Sequence, residues 1–109
     1  MYKIIQTEFF ESDFNKTIPG NLKKHAKEKI NSLRLNPERG KMLSYSFLRE
    51  LKVDKFRIYY MVYKDIITIL LVAIGDKKTQ KRMIDGIKKK RESLKVFAHN
   101  YKKYLNNGG

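Results

Sequence analysis

The chain has no cysteine and only two histidines, His25 and His99, which excludes disulfides, a thiolate nucleophile and a zinc cluster of the usual ligands. Acidic residues are few: 11 Asp and Glu stand against 25 Lys and Arg, leaving a net charge of +14 on 109 residues. Long apolar runs are missing too. The longest, Ile66 to Ile74 with Thr68 inside it, is about half of the ~20 residues that a membrane-spanning helix needs. The N-terminal residues carry no signal-peptide pattern, so the expected location is the cytoplasm, with no membrane partner. What is present is enough for a core: 41% of residues are hydrophobic and 12% aromatic, which rules out wholesale disorder. One domain is expected over residues 1–105, followed by a flexible tail at 106–109.

The positive charge is concentrated at the C-terminal end. Residues 77–109 hold eleven Lys and Arg against only Asp85 and Glu92. Such a segment repels itself unless an anion lies near, and phosphate is the obvious candidate, although a lysine-rich helix face kept soluble by its charge has the same composition.

The order of elements follows from the apolar spacing. Tyr2 to Thr7 alternates weakly, as in a short strand, and Phe10 and Phe14 lie one helical turn apart. Pro19-Gly20 breaks the chain. Asn21 is placed to cap a second helix carrying Leu22, Ala26, Ile30 and Leu33, which Asn36-Pro37 ends. Three segments rich in β-branched and aromatic residues follow, an antiparallel meander by their short breaks. From about Thr79 the positions Ile84, Ile87, Leu94, Ala98, Tyr101 and Leu105 predict one long helix with a single apolar stripe. The fold class is therefore α+β.

Leu48–Val53 and Phe56–Val62, joined by Asp54-Lys55, read as a hairpin in which Val53 faces Phe56, Lys52 faces Arg57, Leu51 faces Ile58 and Glu50 faces Tyr59. One side is then a core face, and the other carries Glu50, Lys52, Arg57 and Tyr59 toward solvent. Two cations directly opposite one another cost up to ~1 kcal/mol unless something negative binds between them. Ile66 to Ile74 suits an interior strand covered on both sides. Lys77-Lys78-Thr79-Gln80-Lys81 then occupies the strand-to-helix junction, where lysines oppose the helix dipole and free N–H groups favour an anion.

This order, with Arg57 early in the second meander strand, resembles the RelE/ParE superfamily of type II toxin–antitoxin toxins. Leu48–Val53 with Phe56–Tyr60 is similar to that superfamily's hairpin, and Lys77–Lys81 resembles its HigB-like branch. The resemblance implies a toxin that cleaves messenger RNA, often on the ribosome, that is neutralised by a cognate antitoxin, and that uses a basic cleft on the sheet to which Lys52 and Arg57 belong.

Metal-free cleavage by the 2′-hydroxyl needs a base, cations on the developing phosphorane and a proton donor, with no cofactor. Arg57 is the natural phosphate clamp, and Lys52 adds a point charge. Glu50 is the candidate base, or else a carboxylate that merely neutralises Lys52; Tyr59 is the candidate donor, or else only a strand former. Lys55, Lys77, Lys78, Lys81 and Arg82 are candidate nucleic-acid contacts. So thin an acid–base set leaves a second expectation open: a non-catalytic, ParE-like inhibitor of a topoisomerase, or a nucleic-acid- or ribosome-binding relic of the same fold.

Overall fold

Two apolar layers, one on each face of a sheet, organise the chain. The computed structural model describes the backbone of residues 1–108 and the side chains of residues 1–101. Strand β1 (Lys3–Gln6) is followed by helices α1 (Glu8–Thr17) and α2 (Gly20–Ser32), then by β2 (Lys41–Met42), β3 (Leu48–Val53), β4 (Phe56–Tyr63) and β5 (Thr68–Asp76), and finally by helices α3 (Gln80–Lys89) and α4 (Arg91–Gly108). The sheet order is β1-β5-β4-β3-β2. Strands β3, β4 and β5 form the expected meander, but β1 joins β5 in parallel, so the sheet is mixed.

Local chemistry sets the first helix. The Thr7 side chain accepts a hydrogen bond from the Phe10 N–H at 3.0 Å, and Glu8 and Glu11 sit in the positive first turn. Ile18 leaves helical geometry, as the residue before a proline must, and Pro19 rather than Asn21 takes the cap position of α2. Phe10, Phe14, Ile18, Ala26 and Leu33 pack on Leu51, Val53, Ile58, Tyr60 and Val62. On the opposite face, Leu48, Tyr59, Met61, Leu70 and Ala73 meet Ile87, Leu94 and Ala98. Both faces of the sheet are thus covered, including the one expected to face solvent.

The C-terminal segment is two helices rather than one. At Lys90 the backbone turns out of the helix (φ −98°, ψ 7°), and its N–H bonds back to the Gly86 and Ile87 carbonyls. The apolar stripe spans this break by a seven-residue step from Ile87 to Leu94, so no core side chain holds the turn in which Lys88, Lys89, Lys90 and Arg91 repel one another. The tail expected over 106–109 and the stripe position Leu105 lie outside the residues whose side chains are described. No helix among the described residues is long and apolar enough to cross a membrane.

Candidate anion-binding groove

The β3–β4 hairpin closes through Asp54-Lys55 with Asp54 at φ 54°, and its register is the expected one: Val53 opposite Phe56, Lys52 opposite Arg57, Leu51 opposite Ile58, Glu50 opposite Tyr59. Alternation therefore sets Glu50, Lys52, Arg57 and Tyr59 on one face, but it does not leave them equally open. Lys52 is exposed, Arg57 is partly covered, Glu50 is only 4% exposed and Tyr59 is fully buried. The cover comes from α3.

The enclosed carboxylate organises this end of the sheet. Glu50 Oε1 accepts a hydrogen bond from Arg57 Nη1 in an ion pair, and Oε2 accepts one from the Gln80 side-chain amide at 2.6 Å. Gln80 belongs to the first turn of α3, so the carboxylate links three elements. The negative group demanded by the facing Lys52 and Arg57 is thus internal. Arg57 Nε is buried without a hydrogen-bond partner among the described residues. The Tyr59 hydroxyl is likewise unpartnered, and burial, with Glu50 adding to it, pushes its pKa up to about 12.

Close approach of α3 to the sheet depends on Gly75, which stands opposite Arg57 on β5. A Cβ there would lie 2.7 Å from Thr79 Oγ1 and 3.2 Å from Met83 Cγ. The junction is fastened by reciprocal bonds: the Asp76 N–H donates to Thr79 Oγ1 and the Thr79 N–H donates to Asp76 Oδ1, both at 3.0 Å. That backbone N–H holds the Asp76 carboxyl below its ordinary pKa. Lys77 and Lys78 project from the turn as exposed residues, and Lys81 and Arg82 are exposed at the start of α3. Lys55 lies in the hairpin turn, its Nζ 5.5 Å from the centre of the Phe56 ring. Since Phe56 pairs with Asp76, Lys52, Lys55, Lys77 and Lys78 all occur at one end of the sheet.

A shallow groove of about 360 Å³ opens beside Lys52, lined by Lys29, Arg39, Lys41, Glu50, Lys52 and Arg57, among others; Lys55, Lys77, Lys78, Lys81 and Arg82 do not line it. Three of these cations, Lys29, Arg39 and Lys41, are not singled out by the sequence. Lys41 arrives by pairing with Glu50 across a two-residue strand too short to show a pattern. Lys29 reaches across from α2 to donate to the Lys52 carbonyl at 2.8 Å. Gly40 brings the loop between Arg39 and Lys41 onto the sheet: its N–H donates to the Tyr60 hydroxyl at 2.9 Å, which in turn donates to the Pro37 carbonyl at 2.8 Å. A Cβ at Gly40 would lie 2.6 Å from that hydroxyl, so only glycine fits. Lys41 and Lys52 have no carboxylate within ion-pair distance among the described residues.

His25 is exposed on α2, and His99 on α4 bonds Asp65, so neither reaches the groove. No group of three or more His, Cys, Asp or Glu among the described residues could hold a metal ion. The arrangement can seat a phosphate on exposed lysines and the remaining N–H groups of Arg57; its one carboxylate is engaged within the fold.

Comparison with known proteins gives one family match: residues 4–80 fit the family described as ParE toxin of type II toxin–antitoxin system, parDE. There is no match among curated proteins. Several solved structures share the fold. A mutant Escherichia coli RelE toxin in the free state superposes with a TM-score of 0.68 at 14% identity, covering 81% of this chain and 96% of its own. The intact E. coli RelBE toxin–antitoxin complex gives 0.60 at 15% identity over 70% and 96%. The RelB–RelE antitoxin–toxin complex of Methanococcus jannaschii gives 0.55 at 20% identity over 72% and 96%. At these identities the likeness is one of fold.

Proposed function

The chain belongs to the ParE toxin family of type II toxin–antitoxin systems, and from that membership we propose that it acts by binding rather than by cutting, as a non-catalytic toxin that inhibits a topoisomerase. The observation that carries this reading is the state of Glu50. A general base for 2′-hydroxyl attack must reach the substrate proton, whereas this carboxylate is buried and faces Arg57 and Gln80. Tyr59, the candidate proton donor, is enclosed by the core. What remains accessible is charge: Lys41, Lys52, Lys77 and Lys78 suit the phosphates of a nucleic acid held by the target enzyme.

Messenger RNA cleavage is the second reading, favoured by one observation. Lys41 and Lys52 line the same groove as Arg57 without carboxylate partners among the described residues, so a phosphorane could be stabilised by cations alone. In either case a cognate antitoxin is the expected partner, a reading supported by the RelB–RelE complexes that share this fold.

A supercoiling assay with purified topoisomerase and relaxed plasmid separates the two. The proposed function predicts inhibition that increases with toxin concentration and is relieved by Lys52→Ala combined with Lys77→Ala. Unimpaired supercoiling at saturating toxin would overturn it.

A further inference from the structure

We propose that a second site, a cavity between the start of β3, the end of β4 and the first half of α4, seats one unstacked nucleotide of a single-stranded nucleic acid. It lies at the end of the hairpin away from the Asp54-Lys55 turn, apart from the groove described above, and either mode of toxin action survives its failure.

The cavity holds about 330 Å³, the lower part of the ~300–1,000 Å³ range of ligand pockets, which suits one nucleotide better than a folded segment. Phe47, Met61, Val62 and Tyr63 line it with apolar surface, and Arg91 and Lys95 supply the charge. Phe47 stacks on Tyr45 with ring centres 4.9 Å apart and planes 3° from parallel. The Arg91 guanidinium carbon lies 4.6 Å from the Tyr45 ring centre and 4.8 Å from that of Phe47. Of this cluster Phe47 and Arg91 line the cavity, a stacking platform that a base of any sequence can use.

The polar groups define the ligand's charge. Neither Arg91 nor Lys95 has a carboxylate partner among the described residues. Asp65, the one carboxylate in the lining, is held by His99 Nε2 at 2.8 Å. Tyr63 is 8% exposed and its hydroxyl has no partner among the described residues; burial pushes its pKa up to about 12, so it stays a donor. A site of donors around an apolar body calls for a planar ligand rich in acceptors and negative in charge. The +14 chain attracts a polyanion, and the Phe47–Arg91 stacking surface favours one that carries bases over an acidic peptide. A base can enter only if it is free of a duplex.

The test titrates the full-length protein with uridine and thymidine octamers, with uridine monophosphate and with a glutamate octapeptide, following the Met61 methyl and Tyr63 ring signals by NMR. Either octamer moving these signals supports the site, and which one does so identifies RNA or DNA as the source; movement by the mononucleotide supports it as well. Arg91→Lys retains the charge and loses the platform, and Phe47→Ala removes a stacking ring; each is expected to weaken octamer binding about tenfold. Lys24→Ala, at an exposed lysine of α2 outside both the cavity and the groove, should leave the Met61 shifts in place. Wild-type affinity in Arg91→Lys, shifts confined to the Lys52 groove, or shifts produced by the peptide and not by the nucleotides would overturn the proposal.

Discussion

Arg57 on β4 and Glu50 on β3 are not opposite one another but meet across the diagonal of the hairpin, where the guanidinium closes on a carboxylate that α3 has covered. Removing one partner leaves the other charged in a site with little water, which costs about 3–5 kcal/mol. Glu50→Ala and Arg57→Ala should each destabilise the fold by that order. The double variant should be destabilised by less than the two changes added together. A double-mutant cycle from denaturant unfolding measures the coupling.

Lys52 behaves differently because it is exposed and has no carboxylate within ion-pair distance among the described residues. Lys52→Ala is expected to leave the unfolding midpoint nearly unchanged while weakening nucleic-acid binding to every sequence alike. It should also reduce the dependence of log affinity on log salt by about one phosphate contact. Filter binding across a salt series reads both quantities.

Ile67 sits in the left-handed region (φ 49°, ψ 49°) between the 3₁₀ turn at Lys64–Ile66 and β5, a conformation that costs a β-branched residue about 1–2 kcal/mol. Its side chain is half exposed and gives back little packing. Ile67→Gly should therefore stabilise the protein, by up to about 1 kcal/mol after the entropy of glycine is counted, and raise the melting temperature by several degrees.

His99 ties α4 to the turn before β5. Its Nδ1 lies 2.8 Å from the Lys95 carbonyl and its Nε2 lies 2.8 Å from Asp65 Oδ2; both partners are acceptors, so the geometry is that of the imidazolium with two N–H donors. The Asp65 hydrogen bond holds the His99 pKa above its ordinary 6.5, and the same bond holds Asp65 below its ordinary 3.8. The histidine contribution is complete below pH 6.5 and fades as pH rises through the raised value. The carboxylate contribution is present above pH 3.8 and fades as pH falls through the lowered one. Both groups are substantially solvated, so the effect is small. Melting temperature should fall modestly from pH 5.5 to 8.5 in the wild type and change less in Asp65→Asn, with the His99 ring titration moving toward its ordinary value.

The hairpin register was legible because alternation from Leu51 to Ile58 leaves one phase with a continuous apolar face. The enclosure of Glu50 was not, because pairing directly opposed residues misses the diagonal that long side chains span, and because Gln80 reaches the sheet only through the close approach that Gly75 permits. Lys29, Arg39 and Lys41 join the groove through loop geometry set by Gly40 and Tyr60, which no periodicity encodes. The division of the last helix at Lys90 was hidden by an apolar stripe that keeps its phase across the break.

Whether this toxin only binds or also cuts is read from the 3′ ends of a defined messenger RNA incubated with the pure protein, with and without translating ribosomes. Binding without cutting leaves the RNA intact in both conditions. Fragments ending in a 2′,3′-cyclic phosphate that appear with the wild type and vanish with the fold-neutral Lys52→Ala would overturn that reading.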